Sequence, residues 1–195
     1  MHGLINLSLQ CFVRDTYGDH VWRVVAEKAE IPVSGFEAML TYDDHQTTDV
    51  IEAATAELRQ ARGDFLESLG TYLVAHEKCQ RVRRLLRFGG RTFEEFLLSL
   101  DELPDRARMA VPDLEMPDLY LRQNAPGMFE LCCIWERAIF GHVVMGVLRG
   151  MADDFGALVL LDYEAVDKNA EMISIIIAES SFAEGRHFEL AGANA

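Results

Sequence analysis

The chain has 195 residues, half of them hydrophobic, and a formal net charge of −14 at pH 7. That length carries one domain with a sizeable core, or two small lobes sharing one. The charge excludes a nucleic-acid backbone and an anionic membrane surface as partners, since both would repel it.

No apolar run reaches the about 18 residues of a membrane span. The start, MHGLINLSLQCFVRD, lacks the basic lead and cleavage site of a secretory signal, so a cytoplasmic location is expected. Cys11, Cys79, Cys132 and Cys133 have no CxxC spacing and are expected to be reduced and buried.

The first hundred residues read as helices. LINLSLQCFVRDTYG puts Leu4, Leu7, Cys11 and Phe12 on one face and stops near Gly18. HVWRVVAEKAEI ends before Pro32, TTDVIEAATAELR opens with Thr and Asp as caps, and RGDFLESLGTYLVAHE resumes the pattern after Gly63. RVRRLLRFGG ends in two glycines, a helix exit, and its arginines from Arg81 to Arg91 read as a solvated face. In RTFEEFLLSLDEL, Thr92 and Glu95 form a capping-box pattern, and Phe93, Phe96, Leu97, Leu100 and Leu103 keep helical spacing. Pro104 follows. Its ring forbids the bond to the carbonyl of Leu100, so the helix is predicted to break or kink.

Beyond residue 115 the texture changes. DLYLRQ and MFELCCIW flank the turn-prone NAPG and read as a hairpin, with Cys132 and Cys133 on opposite faces of the strand. AIFGHVVMGVLRGMADDFG reads as a helix with Gly141, Gly146 and Gly150 spaced for close packing, ending at Gly156. ALVLLDYEAV and AEMISIIIAES make a second hairpin around DKN. This order predicts an α+β fold with a four-stranded antiparallel sheet. It is expected to form a single domain over residues 1–182, with a helical lobe to about residue 80 and a sheet-containing lobe from about 81. Residues 183–195 are expected to be a C-terminal tail, loose from 186 onward.

That order, with MHGLI at the start, TYGDHVW before the second helix and YDD at 42–44, resembles the heme-nitric oxide/oxygen binding (H-NOX) family over about residues 1–182. The family's marks are a proximal histidine on the heme iron, a proline thirteen residues later that presses on the porphyrin, and a Tyr-x-Ser-x-Arg motif that holds the propionates. Pro117 in EMPDL fits the pressing proline, and thirteen residues before it stands Pro104, where the resemblance implies histidine. In CIWER, Arg137 keeps its place, while Cys133 replaces the tyrosine and Trp135 the serine. His142 falls where the resemblance implies a distal-pocket residue. It either ligates iron from the opposite face or is satisfied by a backbone carbonyl.

The resemblance therefore implies heme, with Pro117, Arg137 and His142 as pocket positions. Pro104, Cys133 and Trp135 argue against heme held in the family manner. Proline offers no iron donor, and each lost hydroxyl is worth about 1.5–3 kcal/mol against a charged propionate. Trp135, much bulkier than serine, is expected to reduce the cavity.

The first reading is a non-catalytic sensor or regulatory domain without the family's heme ligation. The second is a heme-based gas sensor ligated through His142, and the third a ligand-free protein-interaction module. The resemblance implies a histidine kinase or diguanylate cyclase as partner. No phosphate-cradling loop, nucleophile elbow or zincin helix marks an enzyme. His76 and Cys79 would make half a zinc site, with no second ligand pair at matching spacing. Asp43, Asp44 and His45, and Asp153 with Asp154, read as caps and solvated turns.

Overall fold

A computed structural model describes residues 1–136 and 140–188. Eight α-helices and four strands follow one another among these residues: α1 Gly3–Tyr17, α2 Asp19–Lys28, α3 Asp44–Leu58, α4 Arg62–Ala75, α5 Gln80–Arg87, α6 Phe93–Leu98, α7 Leu103–Ala110, β1 Asp118–Ala125, β2 Met128–Ile134, α8 Phe140–Phe155, β3 Leu158–Ala165 and β4 Ala170–Glu179. The expected α+β fold is present. All three strand pairings are antiparallel, in the order β1-β2-β4-β3.

Apolar side chains gather in two clusters. Leu9, Phe12, Trp22, Val50, Phe65 and Leu69 belong to the first, contributed by α1 to α4. Phe93, Phe96, Leu100, Leu131, Leu148 and Ile173 belong to the second, where α6, β2, β4 and α8 meet. Helix α4 serves both, since Leu66 packs in one and Val74 in the other.

Glycines set how closely α4 and α8 approach. A Cβ on Gly146 would lie 1.9 Å from the carbonyl oxygen of Glu67, and one on Gly70 would lie 2.0 Å from that of Val143. The two helices touch backbone to backbone. Gly150 faces Val74 of the same partner, whereas Gly141 faces Glu171 and Tyr163 instead.

The break expected at Pro104 is present, and it begins five residues earlier. Thr92 caps α6 by accepting from the Glu95 N–H at 3.2 Å, and Glu95 reaches back to the Arg91 N–H at 2.7 Å. The helix ends at Ser99, a 3-10 turn spans Leu100–Glu102, and α7 begins at Leu103. Pro104 thus stands in the first turn of a new helix, where its missing N–H would have had no partner anyway. Arg106 donates to the freed carbonyl of Ser99 at 2.8 Å.

Four sequence expectations are corrected. α3 starts at Asp44, ahead of the threonines, because the Met1 ammonium pairs with the Asp44 carboxylate at 2.7 Å and pins that turn. Thr47, expected near a cap, is buried and donates to Asn6 at 2.6 Å. The arginine face is only partly solvated: Arg81, Arg84 and Arg91 are exposed, but Arg83 and Arg87 turn inward to Asp154. Asp154, expected in a solvated turn, is buried, and its Oδ1 lies 2.8 Å from both Nε and Nη2 of Arg83.

Residues 186–188 are likewise not loose. The Arg186 N–H donates to the carbonyl of Asp154 at 2.9 Å. Arg83 donates to the carbonyl of His187 at 3.2 Å, and the Phe188 ring lies 5.0 Å from the Arg87 guanidinium. Buried charge on α5 and α8 draws the segment back onto the fold.

Candidate functional site

Of the positions implicated by sequence, Cys133, Trp135 and His142 lie around the N-terminus of α8 and the ends of β2 and β4, whereas Pro104 stands in α7 and Pro117 just ahead of β1. In β2 the burial alternates, so Cys133 faces the core; Cys132 turns to the other face and, against the expectation that all four cysteines are buried, is partly exposed, as are Cys11 and Cys79. Directly across from Cys133 on β4 stands Glu171, and a directly opposed pair shares one face of the sheet. Glu171 is 6 % exposed.

A buried carboxylate needs donors. Glu171 receives the backbone N–H of Gly141 through Oε2 at 2.8 Å and the hydroxyl of Tyr163 through Oε1 at 2.7 Å. Gly141 is the second residue of α8, so the carboxylate sits on the positive end of a sixteen-residue helix. A Cβ on Gly141 would lie 2.7 Å from the carboxyl carbon, which is why glycine occupies that position.

The electrostatics follow from that charge. Burial, with the Glu171 carboxylate as second cause, pushes the Cys133 thiol up to about 12, so it stays a neutral thiol. Burial and the bond to Glu171 raise the Tyr163 phenol as well.

His142 stacks on the Tyr163 ring, with centroids 4.1 Å apart and planes at 28°. Its imidazole also presses on α4, 2.8 Å from where a Cβ of Gly63 would be. Trp135 follows the end of β2 and donates its backbone N–H to the carbonyl of Asn169 at 2.8 Å, and its ring lies 3.9 Å from that of Phe140. Pro104 and Pro117 are buried. Arg137 lies outside the described residues. The structure thus gathers Cys133 and His142 around Glu171 and Tyr163.

Glu171 and Tyr163 were missed in the sequence. Both lie inside hydrophobic strand runs, and the only available signal was an acidic residue at an inward position of β4.

His76 does other work, and Cys79 lies partly buried beside the first apolar cluster. The His76 ring stacks on Tyr72 at 4.6 Å and accepts from the Lys78 N–H at 3.4 Å. Tyr72 lines an open groove of about 570 Å³ between α1 and α4, and its hydroxyl donates to Asp15 at 2.7 Å. Among the described residues no three His, Cys, Asp or Glu side chains converge as metal ligands do, and no helix is long and apolar enough to cross a membrane.

The sequence pattern of the haem-NO-binding family matches residues 2–161. The chain belongs to that family, whose members are heme-binding sensor domains. It is 22% identical to soluble guanylate cyclase gcy-31 of Caenorhabditis elegans over 178 residues, 91% of this chain and 25% of that protein. It is equally 22% identical to soluble guanylate cyclase 89Da of Drosophila melanogaster, over 87% of this chain and 25% of that one. The chain spans about a quarter of the length of these relatives. The unliganded Fe(II) H-NOX protein of K. algicida superposes with a TM-score of 0.78 at 16% identity, over 97% of this chain and 100% of that one. The I5F mutant of the T. tengcongensis H-NOX gives 0.76 at 15%, over 93% and 100%.

By the resemblance Pro104 stands at the position of the family's iron-ligating histidine, and proline would present only carbon there. Cys133, which the resemblance aligns with a propionate-binding tyrosine, stands directly across from the buried Glu171 carboxylate.

Proposed function

We propose that this chain is a non-catalytic sensor or regulatory domain of the H-NOX family that does not hold heme in the family manner. One observation carries the reading. The chain's own carboxylate, Glu171, takes the Gly141 N–H and the Tyr163 hydroxyl beside Cys133. A propionate brought there would meet like charge, out of water and weakly screened. Pro117 and Arg137 are then family positions kept without the group they served.

Ligation through His142 is the weaker reading, because the imidazole would have to leave both the Tyr163 ring and the Gly63 contact. Regulation runs through a protein partner. Likeness to soluble guanylate cyclases favours a cyclase, and the family also favours a histidine kinase or diguanylate cyclase.

Titration of the purified protein with hemin, followed by desalting, tests the reading. Wild type is expected to keep no Soret band. Pro104→His alone is expected to bind less than Pro104→His with Cys133→Tyr and Trp135→Ser, since each change restores a different contact. A stable Soret band in wild type that disappears in His142→Ala would overturn the proposal in favour of the heme sensor.

A further inference from the structure

An antiparallel sheet with one wet face normally alternates apolar side chains inward with polar ones outward. This sheet does not. Its inner face packs on α8 and α6, and its outer face carries two apolar rows. Met128, Ile176 and Leu160 stand side by side across β2, β4 and β3, and Tyr120, Cys132 and Met172 do so across β1, β2 and β4. Leu160 is 62% exposed, Tyr120 57% and Met128 44%. Between the rows runs a polar one, in which Arg122 is paired with Glu130 at 2.6 Å and Ser174 stands beside Asp162. Exposed apolar rows bordered by polar residues are the pattern of an interaction site.

The charge on this face selects among occupants. Asp118, Asp162, Glu164 and Glu179 are exposed at its margins and in its rows, and the Arg122 charge is already taken by Glu130. A second copy of the chain would set these acids against themselves. A partner with an apolar stripe and basic flanks would answer both features.

We propose that the outer face of the four-stranded sheet docks an amphipathic helix of a protein partner, with its apolar stripe on Leu160, Ile176 and Met128 and its Lys or Arg flanks toward Asp162 and Glu164. This deepens the reading of a regulatory domain working through a protein. It stands apart from the heme reading, because the face is unchanged whichever way the hemin titration falls.

The test uses a synthetic 18-residue amphipathic helix of leucine and lysine as probe, with a leucine–glutamate helix as control. Binding is read by fluorescence anisotropy on the full chain, and the site by hydrogen exchange. The expected result is protection on β2, β3 and β4 by the basic helix only. Affinity should fall at least tenfold in the Leu160→Ser/Ile176→Ser double variant and stay unchanged in Met39→Ser, which alters an exposed methionine elsewhere. Equal affinity for the double variant and wild type, or protection away from the sheet, would overturn the proposal. Self-association in sedimentation that is lost in the double variant would overturn it too, by making a second copy the occupant.

Discussion

Glu171 closes the start of α8 by accepting the N–H of Gly141 at 2.8 Å, thirty residues away in sequence. Removing that carboxylate strands a buried donor, the amide, and a half-buried one, the Tyr163 hydroxyl. Each stranded group costs about 1–3 kcal/mol. Glu171→Ala should therefore lower unfolding free energy by about 2–4 kcal/mol in urea titration, and Tyr163→Phe by about 1 kcal/mol. Their effects should be less than additive in a double-mutant cycle, because they share one bond.

Asp154 and its two arginines make a second, sharper comparison. Arg83 hydrogen-bonds the carboxylate at 2.8 Å, while the Nε of Arg87 stands off at 3.6 Å and its guanidinium lies over the Phe155 ring at 4.0 Å. Breaking a buried pair by removing one member costs about 3–5 kcal/mol. Asp154→Ala should show that loss in thermal or urea unfolding. Arg83→Met should cost more than Arg87→Met, since only Arg83 makes a true hydrogen bond to the carboxylate.

At the crossing of α4 and α8, Gly146→Ala should be severe. The new methyl would collide with the Glu67 carbonyl and lie 2.8 Å from the Thr71 nitrogen. Both obstacles are backbone, so the helices must part. The cost should reach or exceed the about 1–3 kcal/mol typical of overpacking. Gly150→Ala meets only the Val74 side chain, at 3.1 Å, and should cost less. Circular dichroism melts of the two variants make the comparison.

Alkaline pH should expose Cys133. Its ordinary value of 9.0 is pushed up to about 12 in the folded chain. Between those values the folded state keeps a proton that the unfolded chain has lost, so stability falls as pH rises from about 9. The slope from this one group is at most about 1.4 kcal/mol per pH unit. Cys133→Val should lose stability less steeply than wild type above pH 9 and in parallel with it below.

The elements legible in sequence were those whose signal is local. Thr92 and Glu95 announced the start of α6, and the strand formers of MFELCCIW announced β2, with Cys132 and Cys133 on opposite faces. Gly146 and Gly150 announced close packing without naming the partner, which is α4. Arg83, Arg87 and Asp154 were misjudged for a physical reason. A charged residue reads as solvated unless its partner is known, and this partner is 71 residues away. Glu171 was hidden in the same way: nothing in AEMISIIIAES says that a helix terminus lies above its second residue.

The bare crossing of α4 and α8 has a mechanical consequence. Helices packed through side chains slide past one another by small rotamer changes, each absorbing part of an imposed shift. Where peptide lies on peptide, as at Gly70 and Gly146, there are no rotamers to give way. The two helices then behave as one bent lever with its fulcrum at that crossing. A push delivered through the sheet to α8 would then reach the residues of α4 as a tilt, with little slack at the joint to absorb it.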